Sequence, residues 1–224
     1  EKNAELHIEN LIEGFPPYSI LDVSLRSLAG LASISEYAKV NLRYSYIISR
    51  NQNIEGVKSK YNEGLRRNLR EAEKKYSIIK TNDVATFIQF INSTYAQRKT
   101  KPPAWLETSV PRAYEALQKH QKGYLEFAYY EGKPIAGIMT GWDELNAYYF
   151  IGGRTPDDGG ASAHALLLDN AIQRACENGQ SFDFEGSMHS GIANFFQSFG
   201  ATPEPFWRIR KFKGIGKLWS TFKP

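Results

Sequence analysis

The 224-residue chain carries one cysteine, Cys176, two methionines and four histidines. A single cysteine excludes an intramolecular disulfide framework and any metal site built on a cysteine cluster. Neither His164 nor His189 has a partner at metal-ligand spacing, so no metal is expected. No run approaches the roughly 18 apolar residues that a membrane span needs, so no span is expected and a cytoplasmic protein is the default reading. Internal repeats and low-complexity tracts are also missing. The net charge of +4 falls far short of a dedicated nucleic-acid binder, so RNA binding would have to rest on a local patch.

What is present fits a folded enzyme-sized chain. Apolar content of 42% and charged content of 23% lie near globular averages and imply a sizeable core. Thirteen Phe, 13 Tyr and 4 Trp supply that core, with a minority left to line a groove. The length suits one large domain, or one domain and part of another.

The most informative stretch runs from Ala147 to Gly200. Its apolar period changes from two to about 3.6 and back, giving a strand (Ala147–Gly152), a helix opening near Ser162, a strand (Ser181–Glu185) and a second helix ending before Gly200. Between the first two lie Asp157, Asp158, Gly159, Gly160, Ala161 and Ser162. Small residues ahead of a helix let a ligand approach backbone amides that have no intrahelical partner, which suits a phosphate. The same residues also fit a tight connection in which Ser162 merely caps the helix.

The strands Tyr124–Tyr130, Pro134–Trp142 and Ala147–Gly152 are joined by short turns and read as an antiparallel meander. With Ser181–Glu185 parallel to the last of them and Pro205–Lys211 as a final strand, the fold class is α/β (α+β), a mixed, mostly antiparallel sheet with helices on both faces. Upstream, Ile20–Leu25 and Arg43–Ser49 are strand candidates, and Asp83–Arg98 is an amphipathic helix capped by Asn82 or Asp83. A further helix runs from about Ser109 to Gln121, with Pro111 in its first turn. From Glu55 to Lys75 helical spacing leaves Arg66, Arg67, Arg70, Lys74 and Lys75 outside. This basic face is either solvated and ion-paired, as Arg67 with Glu71, or turned to an anion, with Arg67 and Arg70 as phosphate contacts.

Ligands in open α/β sheets sit beyond the carboxyl ends of parallel strands, where Gly153, Arg154, Asp183, Glu185, Ser187 and His189 arrive. Alternation through Phe182-Asp183-Phe184-Glu185 places both carboxylates on one face. Asp183 is either a buried partner of Arg154 or of a backbone amide, or part of the chemistry. Glu185, nearer the strand end, is the candidate base, with a pKa expected to be raised by partial burial near Asp183. His164 reads as a helix residue without a chemical role, and Trp105 as a lid over a groove or a ring packed back on the core.

The motifs YYFIGGR (Tyr148–Arg154), GGASAHALLLDNAI (Gly159–Ile172), FDFEGSM (Phe182–Met188) and GIANFFQSFGA (Gly191–Ala201), with RRNLREAEK (Arg66–Lys74), resemble the GNAT superfamily of acyltransferases. More narrowly they are similar to the branch related to the Fem peptidoglycan aminoacyltransferases and to acetyltransferases of polysaccharide biosynthesis. The resemblance covers most of Tyr61 to Arg210. It implies a GNAT-like domain over residues 55–224, with residues 1–53 the remnant of a preceding GNAT-like half-domain. It also implies that acetyl-CoA or another acyl-CoA is a co-substrate contacted by Gly159, Gly160, Ala161, Ser162 and Ala163, and that Phe182–Met188 shape the acceptor side; Gly153, arriving at the strand end, is a further candidate donor contact. The acceptor, a small-molecule, glycan or peptide precursor, would meet Arg154, Ser187 and His189. Where standard acetyl-CoA users carry a basic residue before the glycine run, this chain has Asp157 and Asp158, so other acyl thioesters stay open. An aminoacyl-tRNA donor gripped by Arg67 and Arg70, or a catalytically degenerate binding module, are the alternatives.

Overall fold

The structure is a computed structural model that describes residues 17–26, 38–156 and 159–213. Asp157 and Asp158 lie outside the described residues. In chain order the first elements are β1 (Ile20–Leu25), β2 (Lys39–Ile48), α1 (Ile54–Ser59), α2 (Glu63–Lys75), β3 (Ser77–Lys80), α3 (Val84–Gln97) and α4 (Leu106–His120). Then follow β4 (Gly123–Tyr130), β5 (Lys133–Trp142), β6 (Asn146–Arg154), α5 (Gly160–Glu177), β7 (Ser181–Asp183), α6 (Ser190–Ser198) and β8 (Thr202–Phe212).

The chain divides into two compact units, residues 46–202 and the described residues up to 45 together with those from 203. In the smaller unit β1 pairs antiparallel with β8 from Ile20↔Phe212 to Leu25↔Trp207. Asp22 ties the pair: its carboxylate accepts from Arg208 at 2.7 and 2.6 Å and from Arg210 at 3.1 Å. These hydrogen bonds, that from Arg208 first, hold the Asp22 pKa below the ordinary carboxylate value. Leu21 and Ile209 are buried between the strands and their neighbours.

In the larger unit the strands run β2-β7-β6-β5-β4-β3, antiparallel except for the β6–β7 pair. Strand alternation sends neighbouring residues to opposite faces. Phe127 and Met139 join Phe87, Phe90, Ile91, Leu106 and Val110 beneath α3 and α4. Ala128 and Ile138 join Leu65, Leu69, Leu167, Leu168, Phe182 and Phe196 beneath α2, α5 and α6. The mixed, mostly antiparallel sheet with helices on both faces is therefore the arrangement of this chain.

Three local departures have physical causes. The helix expected over Glu55–Lys75 breaks in two, because the Asn62 side chain accepts the Leu65 amide at 2.7 Å and starts a new helix. Tyr61 at the break points inward and donates to buried Asp169 at 3.0 Å, while Lys58 donates to the same carboxylate at 2.9 Å. On α2 the expected Arg67–Glu71 pair gives way to Lys74–Glu71, at 2.9 Å. Finally, α4 opens at Leu106 instead of Ser109, which leaves Pro111 inside the helix, past the first turn. The expected Asp83 cap of α3 forms, with the Thr86 amide donating at 2.9 Å.

Among the described residues no helix is long and apolar enough to cross a membrane, and no group of three or more His, Cys, Asp or Glu side chains is placed to hold a metal.

Candidate functional site

The site begins with a mismatch of strand lengths. β7 has three residues and its pairing with β6 stops at Tyr148↔Asp183, yet β6 continues to Arg154. Beyond Tyr148 that edge of β6 has no strand partner among the described residues, and an open edge offers backbone donors and acceptors to whatever lies beside it. The same stretch carries a bulge: Thr140 faces Tyr149 and Met139 faces Ile151, so Phe150 is the extra residue. A bulge re-aims the side chains around it. A cleft of about 630 Å³ opens here, lined from β6, α3, α5, α6 and the turn after β7.

Its floor is a pair of side chains. The Tyr149 hydroxyl lies 3.1 Å from Nε2 of His164 on α5. Gly152 makes room for them, since a Cβ there would sit 2.7 Å from the Tyr149 hydroxyl and 2.8 Å from His164 Nε2. Burial, aided by the cations Arg154 and Arg98, pushes the His164 pKa down to about 4. Burial pushes Tyr149 above its ordinary value. At neutral pH both are therefore uncharged, a hydroxyl and an imidazole sharing one hydrogen bond. Phe195 and Phe196 set their edges against His164 and Tyr149, and Phe184 stacks on Phe196 at 4.6 Å. This is the structural use of the FDFEGSM and ANFFQSFG motifs.

Charge enters from two sides. Arg98, at the end of α3, and Arg154, at the end of β6, both face the cleft. Burial first, and then repulsion from Arg98, lowers the Arg154 pKa, so an anion placed between them would be stabilised. Opposite them the turn after β7 brings in Glu185, Gly186, Ser187 and His189. The expected strand to Glu185 ends at Asp183 instead, and the cause is local. Asp183 is buried, and its Oδ1 accepts the Glu185 amide at 2.8 Å, closing a side-chain turn that swings Glu185 to φ 59° and Gly186 to φ 74°. Glu185 thus leaves the face it was expected to share with Asp183 and is exposed at the cleft mouth rather than partly buried. Asp183 positions that turn and does not line the cleft. The Ser187 hydroxyl accepts the His189 amide at 3.1 Å and shapes the start of α6.

The residues expected to hold a donor are only partly brought together. α5 opens at Gly160 with Gly159 as its N-cap, two residues before the expected start, and Ser162 is not the cap. Its hydroxyl donates to the Gly159 carbonyl at 3.0 Å and lies 3.4 Å from the Tyr76 hydroxyl. Ala161 alone of Gly159 to Ala163 lines the cleft. Gly160 and Ala163 are buried, and the Ala163 amide already donates to Gly159 at 3.1 Å. Gly153 is occupied by packing, since a Cβ there would meet the Phe90 and Ile91 backbone at 2.3 Å. Arg67 and Arg70 are exposed on α2 and do not line the cleft.

Sequence reasoning passed over Tyr149, His164, Arg98 and Tyr95, all of which line the cleft. For the first two a signal was available. Glycine at 152, three residues after Tyr149 on a strand of large side chains, marks a place where something must come close.

A family model described as the acetyltransferase (GNAT) domain matches residues 59–195, more than half of the chain. No curated protein matches the sequence. Among solved structures FemX is similar, with a TM-score of 0.72 at 12% identity over 92% of this chain and 76% of that one. A conserved protein of unknown function from Bacteroides thetaiotaomicron follows at 0.62 and 9%, over 93% of this chain and 74% of that one. L-PGS from Bacillus licheniformis gives 0.58 and 12%, over 92% and 70%. At such identities the likenesses speak for the fold, and the family match for membership: the chain belongs to the GNAT acetyltransferase-domain family, on a Fem-like version of its fold.

Proposed function

We propose that the cleft transfers an acyl group from an acyl thioester such as acetyl-CoA to an amine or hydroxyl of an anionic cell-envelope or polysaccharide precursor. The observation that carries this reading is the open edge of β6 beside the uncharged Tyr149–His164 pair. A thioester arm laid along that edge finds backbone partners, and the first-turn amides of α5 suit the donor's phosphates. Arg98 and Arg154 take the acceptor's anionic group.

In this reading the acceptor's lone pair attacks the thioester carbonyl carbon and the carbonyl oxygen becomes an oxyanion. The Tyr149 hydroxyl donates to that oxygen, held in place by Nε2–H of His164. The carbon–sulfur bond then breaks and the thiolate leaves. Glu185, at the mouth, takes the acceptor's proton, with Ser187 and His189 beside it. The strained backbone at Glu185 supports a role there, because a non-glycine residue at φ 59° costs on the order of 1 kcal/mol and persists where something else is gained. The open cleft also favours an enzyme over a degenerate binding module.

Calorimetric titration with acetyl-CoA tests the reading. Wild type should release heat with a single site. Ala161→Asp, which adds a negative charge at the exposed first turn of α5, should weaken binding by tenfold or more. Gly160→Asp is the poorer probe, because a Cβ there would sit 2.8 Å from the Thr155 carbonyl. No heat with any acyl-CoA, or equal heat from the Ala161 variant, would count against the reading.

An aminoacyl-tRNA donor is the second reading, supported by the exposed Arg67 and Arg70 on α2. It requires tRNA affinity that falls steeply with salt.

A further inference from the structure

A second cavity, of about 490 Å³, lies on the α3–α4 side of the sheet, between α4 and the bulged part of β6. It falls within the roughly 300–1,000 Å³ of small-molecule sites. Its chemistry is unlike that of the cleft: the walls are Val110, Ala113, Ala116, Leu117, Met139 and Phe150, with Ser109, His120 and Lys122 also on the lining.

The cavity is built rather than left over. Exposed positions of α4 elsewhere carry Glu107, Arg112, Glu115 and Lys119, as a solvated helix face should. The equally exposed Ala113 and Ala116, which border the cavity, are apolar and small. On the sheet side Gly141 allows the floor to close, since a Cβ there would lie 2.5 Å from the Phe150 ring and 2.9 Å from Leu117. Phe150 is the bulged residue and remains 43% exposed. Most telling is what the two cavities share: Trp105, Phe150 and Ile151 line both. Trp105, 58% exposed, stands between them as a common wall. A molecule whose reacting atom lies in the cleft can therefore extend past Trp105 along these apolar walls.

We propose that this cavity binds an aliphatic chain carried by the acceptor, so that the acceptor is an amphiphile with its reactive head in the cleft and its chain between α4 and β6. The assignment to the acceptor rests on the acyl-transfer reading above, and on sides. The first turn of α5, where the donor's phosphates would lie, belongs to the α5 face, whereas the cavity belongs to the α3–α4 face. An aliphatic occupant follows from the walls, which offer it dispersion contacts and offer a polar group almost no partners.

The test uses the full chain and reads binding without turnover. n-Hexyl, n-octyl and n-decyl β-D-glucosides, each below its critical micelle concentration, are titrated by calorimetry. Affinity should rise by about fourfold for each added methylene, the factor for full burial, until the cavity is filled. Ala113→Phe, at an exposed helix position, should fill the cavity and flatten this series while leaving the melting temperature and acetyl-CoA affinity unchanged; Ala116→Phe repeats the test from one turn further on. Affinities within twofold across the series, or a series unaltered in both variants with their fold intact, would overturn the proposal. So would a loss of octanoyl-CoA but not alkyl glucoside affinity in the variants, which would give the cavity to the donor's acyl chain. Acetyl-CoA that fails to bind while the alkyl series holds would instead remove the acyl-transfer reading and keep the aliphatic site.

Discussion

The hydroxyl of Tyr149 on β6 and Nε2 of His164 on α5 are 3.1 Å apart across a gap that only a glycine at 152 leaves open. If this pair holds the oxyanion, Tyr149→Phe should lower kcat by about 10²–10³-fold, the usual loss of one such donor, with donor affinity kept. Gly152→Ala should act in the same direction by pushing the two side chains apart. Steady-state kinetics with a fixed donor would show it, and an unchanged kcat in Tyr149→Phe would retire the pair from the chemistry.

His164 also predicts how stability depends on pH. Its folded pKa, about 4, is lower than the ordinary histidine value of 6.5, so the unfolded chain binds the proton more readily between those values. The stability contributed by the neutral ring is fully present above about pH 6.5 and is lost as pH falls toward 4. Thermal melts from pH 7.5 to 4.5 should show the midpoint falling with acidity in wild type and falling less in His164→Gln. Parallel slopes for the two proteins would contradict this.

At Glu185 function and stability should oppose each other. Glu185→Gln removes the proposed base and should cost two to four powers of ten in turnover with little change in folding. Glu185→Gly should relax the φ 59° backbone and lose the same activity, without the destabilisation that glycine causes elsewhere. A structural role would reverse the pattern, lowering the melting temperature of the Gln variant and sparing its rate.

Buried Asp169 joins α5 to α1 and to the break before α2, through Lys58 at 2.9 Å and Tyr61 at 3.0 Å. Its carboxylate raises the Tyr61 pKa beyond what burial does first. Asp169→Ala strands the Tyr61 hydroxyl and should cost about 2–3 kcal/mol in denaturant unfolding. A cost under about 0.5 kcal/mol, the scale of ordinary surface changes, would show that water replaces the carboxylate.

Much of the fold is legible in the sequence. The meander, the crossover helix and the parallel β7 follow from period changes and short turns, because each strand's faces are sorted by burial. The site was less legible because its geometry depends on where strands stop. Nothing in FDFEGS announces that the Asp183 side chain will cap a turn and rotate Glu185 out of the strand. Nor does the sequence reveal that β6 outlasts β7, which is what opens the cleft. His164 looks like any helical residue until the fold sets it against Tyr149, and Gly153 and Gly160, expected to hold a donor, are closely packed against backbone.

In the proposed reaction a thioester donor lies along the open edge of β6. Amide hydrogen exchange, measured by NMR with and without acetyl-CoA, tests it most directly. Protection should appear on binding in the stretch from Tyr149 to Gly153 and at the first turn of α5, while β3 and β4, on the far side of the sheet, stay unchanged. Binding that protects other segments and leaves the β6 stretch exchanging as before would contradict it.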